Sequence, residues 1–253
     1  MGETEWENLA DWYDEKQGET GDLWHRALID AALVRLVGDP KDRNILDLGC
    51  GNGYLSRRFA RQGAKMTAVD RSARMIENAK KHDPKNELGI NYIVANANHL
   101  GSIDGRSFDA VFANMSLMDI EDGEGAISEV SRVLRKGGRF TASISHPCFD
   151  NDSNSSWIIE KSLFDSRTYR RIRAYRKPFK EEVPWRVQPA GDKMYTSGFH
   201  RPLSWYASVI AQSGLAIVAL AEPEPTQEFI EKESDSPGFA EVPLHLVICA
   251  LKL

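Results

Sequence analysis

Cysteine is scarce: Cys50, Cys148 and Cys249 are the only three in 253 residues. They are odd in number, far apart and in no metal-ligand spacing. Neither a disulfide frame nor a metal site is expected, and a reducing compartment, the cytoplasm, is the expected location. No apolar run approaches the ~18 residues that a membrane-spanning helix needs. The opening residues, Met-Gly-Glu-Thr-Glu-Trp-Glu, lack the basic and apolar stretches of a secretory leader. Trp6 stands where an N-myristoylation signal carries Ser or Thr. Positive charge is not in excess: the net charge is −5, which gives no global pull toward nucleic acid. No Gly-Lys-Ser/Thr ending marks a phosphate loop, and no Ser-His-Asp pattern competes. Apolar residues make up 42%, enough for one large α/β domain or a domain with an insertion.

The chain is organised around residues Asn44 to Gly53. Ile45, Leu46 and Leu48 read as a buried strand. Gly49, Gly51 and Gly53 follow at every second residue. Tyr54, Leu55, Phe59 and Ala60 then recur with helical spacing. Strand, glycine turn and helix together hold a mononucleotide at the end of a parallel sheet. Glycine takes positive φ and lets a ligand approach the backbone, and the helix start offers free N–H groups. A dinucleotide fingerprint reads G-x-G-x-x-G. Here Tyr54 stands at the third glycine's position, which argues against a pyrophosphate cofactor. A second short strand, Lys65 to Asp70, puts Asp70 at its tip. Asp70 lies 21 residues beyond Gly49, close to the ~20-residue offset of an acid that accepts ribose hydroxyls.

These residues resemble the class I S-adenosylmethionine-dependent methyltransferases. ILDLGCGNGYLS is similar to their first motif, AVDRSARMIENAK to their second, and VLRKGGRF to a later segment. The resemblance covers about residues 31–145 and 202–253. It implies an α/β fold: a doubly wound, seven-stranded, mostly parallel sheet with an antiparallel last strand. It implies S-adenosylmethionine as cofactor and S-adenosylhomocysteine as product. The implied cofactor contacts are Asp47, Gly49, Cys50, Gly51, Gly53, Asp70 and Arg71. Asn96-Ala97 stands where the family has an acid followed by Ala, and Asn96 still offers an oxygen to an adenine amino group. Asn114 and Ser116 end the fourth strand, beside the transferred methyl group in the family; each is a candidate contact or a plain strand-end cap. An N-terminal aromatic-tyrosine-aspartate segment folds over the cofactor in the family. Trp12 and Tyr13 match it, and a ring face suits a sulfonium, although both rings are equally fit to staple the first helix. His25 and Arg26 are candidates for the cofactor carboxylate, or simply a solvated helix start.

Elsewhere helical spacing covers 24–37, 126–134 and 203–213, and Ser72 is placed to cap a helix carrying Met75, Ile76 and Ala79. Strands are expected at 91–95, 107–114, 139–145, 215–221 and 243–251, with Lys136–Gly138 as a turn. Residues 1–30 are expected to form an N-terminal cap, 31–145 and 202–253 the core, and 146–201 an inserted lid or substrate subdomain after the fifth strand. Its start, Asp150 to Ser156, has the composition of a flexible loop. Arg167 to Lys180 holds seven basic residues with Tyr169, Tyr175 and Phe179, either a solvated lid face or a patch for an anionic substrate or RNA.

Methyl transfer from a sulfonium is an in-line displacement that depends on alignment. A base is required only for a protonated nucleophile. His146 and His200 flank the insertion and are the candidates for that role, since a histidine suits proton transfer near neutral pH. Tyr195 is a candidate for orienting substrate. The expected function is methyl transfer to a small-molecule acceptor at oxygen, nitrogen or carbon. The alternatives are a methyltransferase acting on tRNA or protein, a non-catalytic S-adenosylmethionine-binding protein and a NAD-dependent oxidoreductase.

Overall fold

Apolar runs with no polar face become strands covered on both sides. The computed structural model describes residues 5–151, 154–161, 166–187, 193–233 and 237–253. In chain order the elements are α1 (Glu5–Gln17), α2 (Asp30–Val37), β1 (Asn44–Leu48), α3 (Tyr54–Arg61), β2 (Lys65–Asp70), α4 (Ala73–Lys81), β3 (Asn91–Val94), β4 (Phe108–Asn114), α5 (Gly123–Val133) and β5 (Leu134–Ser145). Then follow β6 (Ser155–Lys161), β7 (Ser166–Ile172), β8 (Phe179–Arg186), β9 (Lys193–His200), α6 (Leu203–Gln212), β10 (Leu215–Ala221), α7 (Gln227–Lys232) and β11 (His245–Lys252).

Seven strands form one sheet in the order β10-β11-β5-β4-β1-β2-β3. β1 pairs in parallel with β2 and β4, and β11 runs antiparallel to both β5 and β10. Alternate residues of the strands feed opposite layers. Leu46, Leu48, Val111, Ala113 and Phe140 pack with α5 and α6, while Ile45, Ala110 and Phe112 pack with α2 and α3. Strand order reverses between β1 and β4, and the crevice beyond the carboxyl ends of these strands is where open α/β sheets bind ligands.

Three local expectations change. The Lys136–Gly138 turn is absorbed into β5, which starts at Leu134 and slips register against β4 between Phe108 and Ala110. Gly137 takes a φ of +76°, so the chain bends without ending the strand. The helix expected over 24–37 is present but carries a π turn at His25–Ile29, closed by the Asp30 N–H donating to the His25 carbonyl. The start of the insertion is not a solvated loop. Asp150 pairs with Arg170 at 2.6 Å and the Asn151 amide donates to the Arg173 carbonyl at 2.6 Å; residues 152–153 lie outside the described set. Arg170 is itself largely buried over the Trp157 ring, so the basic stretch does not present it as a free surface cation.

The described residues of 146–201 form two antiparallel strand pairs, β6–β7 and β8–β9. α1 lies across the carboxyl edge of the sheet as a roof. Asp11 and Asp14 join it to α4 through Arg74 at 2.8 Å, Asn78 at 2.9 Å and His82 at 2.7 Å. Trp6 and Trp12 pack edge-on to Trp185 of β8, and Glu5 accepts from the Ser197 hydroxyl of β9 at 2.8 Å. Among the described residues no helix is long and apolar enough to cross a membrane, and no cluster of side chains could hold a metal ion.

Candidate active site

β1 ends in a turn that only glycine can make. Gly49, Gly51 and Gly53 take φ of +75°, +53° and +73°, a region that costs other residues about 1–2 kcal/mol each. The N–H groups of Gly49 and Cys50 both donate to the Val69 carbonyl, at 2.8 and 3.0 Å, which ties the turn to β2. A Cβ on Gly49 would stand 2.5 Å from the Ser116 Cβ. Asp70 at the tip of β2 accepts from the N–H of Gly51 and of Ser72, each at 2.9 Å. Burial raises its pKa, against the pull of those N–H groups. The Arg71 N–H also bonds it; a carboxylate has about four acceptor sites, so acceptor capacity remains for a ligand.

These residues open on a cavity of about 550 Å³ lined by Asp47, Gly49, Cys50, Gly51, Asp70, Arg71, Asn96, Ala97, Asn114 and Ser116. Gly53 caps α3 instead. Asn114 is partly spent on structure: its amide donates to the Tyr54 hydroxyl at 2.8 Å, and its oxygen accepts from Ser143 at 2.6 Å. The Tyr54 hydroxyl donates in turn to buried Asp30 at 2.9 Å. The ring at the third-glycine position is thus a strut, anchored two elements away. Ser116 donates to the Leu48 carbonyl at 2.7 Å and braces the turn from behind. Burial raises the Cys50 thiol pKa far above its ordinary value.

Asp47 is buried beneath the turn and accepts from the Ser56 hydroxyl at 2.6 Å. Burial, with help from the Asp70 charge and against Ser56, moves its pKa from 3.8 up to about 7. A carboxyl that holds its proton more tightly when folded stabilises the fold fully below its unfolded pKa. That stabilisation is lost as pH rises through the folded value. Asp47→Asn is therefore expected to flatten the unfolding free energy between pH 4 and 7, where wild type loses roughly 2–4 kcal/mol more than the variant. Urea unfolding across pH checks it; parallel curves would refute the shift.

A second cavity, of about 320 Å³, adjoins the first. Trp6, Tyr13, Met115, Asp119 and Phe199 line both. Tyr13 thus stands at the partition, its ring 3.3 Å from where a Gly51 Cβ would be, and burial with the surrounding acids keeps its hydroxyl protonated. Trp12, Trp185, His25 and His200 complete an aromatic chamber. The His200 Nε2 contacts the Tyr175 carbonyl at 2.9 Å, and its ring stacks on Phe179.

Two expected residues lie elsewhere. His146 lines neither cavity: its Nδ1 accepts from the Cys148 N–H at 3.1 Å and its Nε2 faces Glu222 at 3.0 Å. Pro147 turns the chain, and the ring packs under Phe149. Tyr195 is 46% exposed and pairs with Pro184 beyond the chamber. His25, expected near a cofactor carboxylate, lines the aromatic chamber instead. Lys180 reaches the first cavity from the end of the basic stretch, and Trp6, Asn98, Asp122 and Phe199 line it without having been foreseen. Only the aromatic bias of α1 signalled any of them.

Comparison with known proteins bears on this geometry. Residues 46–142 match a family model described as a methyltransferase domain. A solved S-adenosylmethionine-dependent methyltransferase from Mesorhizobium loti superposes with a TM-score of 0.71 at 25% identity, over 88% of this chain and 96% of that one. Residues 46–142 thus carry a methyltransferase domain, and the chain has the fold of the class I, Rossmann-like methyltransferases. A second structure, of a methyltransferase from Listeria monocytogenes, shares the fold at 22% identity and a TM-score of 0.69, over 91% of this chain and 97% of that one. A ubiquinone biosynthesis O-methyltransferase from Pelagibacter ubique is 39% identical over 99 residues, which are 39% of this chain and 40% of that protein. A malonyl-[acyl-carrier protein] O-methyltransferase from Hamiltonella defensa is 33% identical over 106 residues, 42% of this chain and 39% of that protein. The chain thus spans about two fifths of the length of these curated relatives. In this chain the glycine cradle and the acid at the tip of β2 fit an adenosyl group carrying a cation. The first cavity sets Asp47, Asp70, Asp119 and Asp122 against Arg71 and Lys180.

Proposed function

We propose that this protein transfers a methyl group from S-adenosylmethionine to a small-molecule acceptor held in the aromatic chamber. The observation that carries it is the meeting of two cavities at Tyr13, one built on the glycine turn and Asp70, the other walled by tryptophans. Bound there, S-adenosylmethionine supplies a methyl group already activated by the sulfonium. The chain's own residues do the rest. Asp70 accepts the ribose hydroxyls while Gly51 N–H holds its carboxylate in place. Gly49 and Gly51 let the backbone approach where a side chain would intrude. Asn96 receives the adenine edge. Tyr13 offers its ring to the cation, and with Trp6 it closes the roof. Rate comes from alignment and from the exclusion of water by that roof.

The segment 146–201 acts as a substrate lid on this reading, since Trp185, Thr196, Phe199 and His200 all come from it. The ubiquinone-biosynthesis relative fits a small acceptor. Calorimetric titration with S-adenosylmethionine, S-adenosylhomocysteine and NAD tests the cofactor. Binding of the first two and not of NAD is expected, followed by transfer of labelled methyl to small acceptors. A folded protein that binds neither adenosyl compound sinks the proposal.

A further inference from the structure

The wall of the aromatic chamber carries an imidazole fixed in one orientation. The His25 ring Nδ1 lies 2.8 Å from Asp22 Oδ1, and the His25 backbone N–H donates to the same oxygen at 2.9 Å. Asp22 is clamped by buried Gln17, whose amide donates to Oδ2 at 3.3 Å and whose oxygen accepts the Asp22 N–H at 3.1 Å. Burial opposes charge on Asp22, but the His25 ring and nearby backbone N–H groups more than offset it, so the carboxyl lies below its ordinary pKa. An ionised carboxylate only accepts. The Gln17 amide nitrogen also lies 3.2 Å from Nδ1, but the shorter contact to a carboxylate favours the proton on Nδ1, which leaves Nε2 as the basic nitrogen.

Two further observations single out His25. It opens the π turn His25–Ile29, a helix form found disproportionately at functional sites. Its ring also stands edge-on to Tyr54 at 6.0 Å. Tyr54 lines the cofactor cavity and His25 the aromatic chamber, so the imidazole lies beside the partition where methyl must pass. Three of the chamber's other polar groups are engaged: Asp150 with Arg170, Arg201 with the carbonyls of Ile120 and Glu121, and His200 with Tyr175; Lys16 and Asp119 also line it. Trp6, Trp12, Tyr13, Trp185 and Phe199 give the chamber flat apolar walls.

We propose that His25 is the catalytic base for an aromatic acceptor bearing a hydroxyl, a phenol or catechol, with Asp22 as its positioning residue. This rests on the methyltransferase function proposed above. The phenol O–H proton passes to His25 Nε2 as an oxygen electron pair forms the O–CH₃ bond. The bond from that methyl to the donor sulfur breaks, and its electron pair stays on sulfur. Positive charge moves from the sulfonium to the imidazolium, where Asp22 stabilises it, and the proton then leaves to solvent.

The test uses 4-nitrophenol, whose phenolate absorbs visible light, with the full chain saturated with S-adenosylhomocysteine. Bound 4-nitrophenol is expected to ionise at lower pH than when free. The shift vanishes in His25→Gln and shrinks in Asp22→Asn, while all three proteins bind S-adenosylhomocysteine alike. With S-adenosylmethionine, kcat for 4-nitrophenol falls about 100-fold in His25→Gln with KM little changed. The acid limb of the wild-type kcat profile is lost in His25→Gln and moves to lower pH in Asp22→Asn. Asp22 contacts the His25 ring, Tyr54 stands edge-on to it, and Asp30 and His245 lie within its electrostatic reach. Failure of 4-nitrophenol to bind, binding without a shift, or an equal shift in His25→Gln overturns the proposal. Failure of S-adenosylhomocysteine to bind instead sinks the methyltransferase function and this proposal with it.

Discussion

Asp70→Ala is expected to bind S-adenosylmethionine at least ~100-fold more weakly than wild type, since charge-assisted hydrogen bonds contribute about 1.5–3 kcal/mol each. The variant also loses stability, because the N–H groups of Gly51 and Ser72 lose their acceptor. Asp70→Asn separates the two effects. Its amide oxygen still accepts one N–H, so part of the lost stability returns, while the weaker acceptor still loses most of the affinity. Calorimetry and urea unfolding on the three proteins measure this. Equal affinity in wild type and Asp70→Ala would remove the ribose-binding role and leave Asp70 a brace of the turn.

Gly49→Ala is expected to cost roughly 2–5 kcal/mol of stability and to abolish cofactor binding. Two independent penalties add. The backbone sits at a φ of +75°, which an L side chain resists. The new Cβ would also stand 2.5 Å from the Ser116 Cβ, and Ser116 has no slack because its hydroxyl holds the Leu48 carbonyl. Adding Ser116→Gly removes the collision and leaves the strain. The double variant should therefore recover part of the stability but not the affinity. A single variant as stable as wild type would show that the turn is softer than its contacts imply.

Local rules made the heart of the site legible. A glycine at a left-handed position and an acid at a strand tip depend on residues next to them, so Gly49, Gly51 and Asp70 could be read before any fold was known. Contacts between distant residues could not. Tyr54 looked like a departure from a glycine pattern, yet its reason is Asp30 and Asn114, which reach it from other elements. His146 looked well placed at the end of β5, but its ring is claimed by Glu222, 76 residues on. The π turn at His25 adds a residue without disturbing the apolar spacing that marks a helix, so nothing in the sequence announced it. Trp185 and Phe199 sit in a region of weak pattern, and their value comes from Trp6 and Tyr13 at the other end of the chain.

The roof has a kinetic consequence. α1 is joined to the β8–β9 strand pair by an aromatic seam and to α4 by exposed charge pairs, and Gly18 and Gly21, both at positive φ, stand where it meets the core. Exposed pairs weaken as salt screens them, whereas the seam does not. α1 and that strand pair thus form one roof over both chambers. On the methyl-transfer reading proposed above, a single cover serves donor and acceptor alike, and kcat measured across salt concentrations is expected to rise as the Asp11–Arg74 pair is screened.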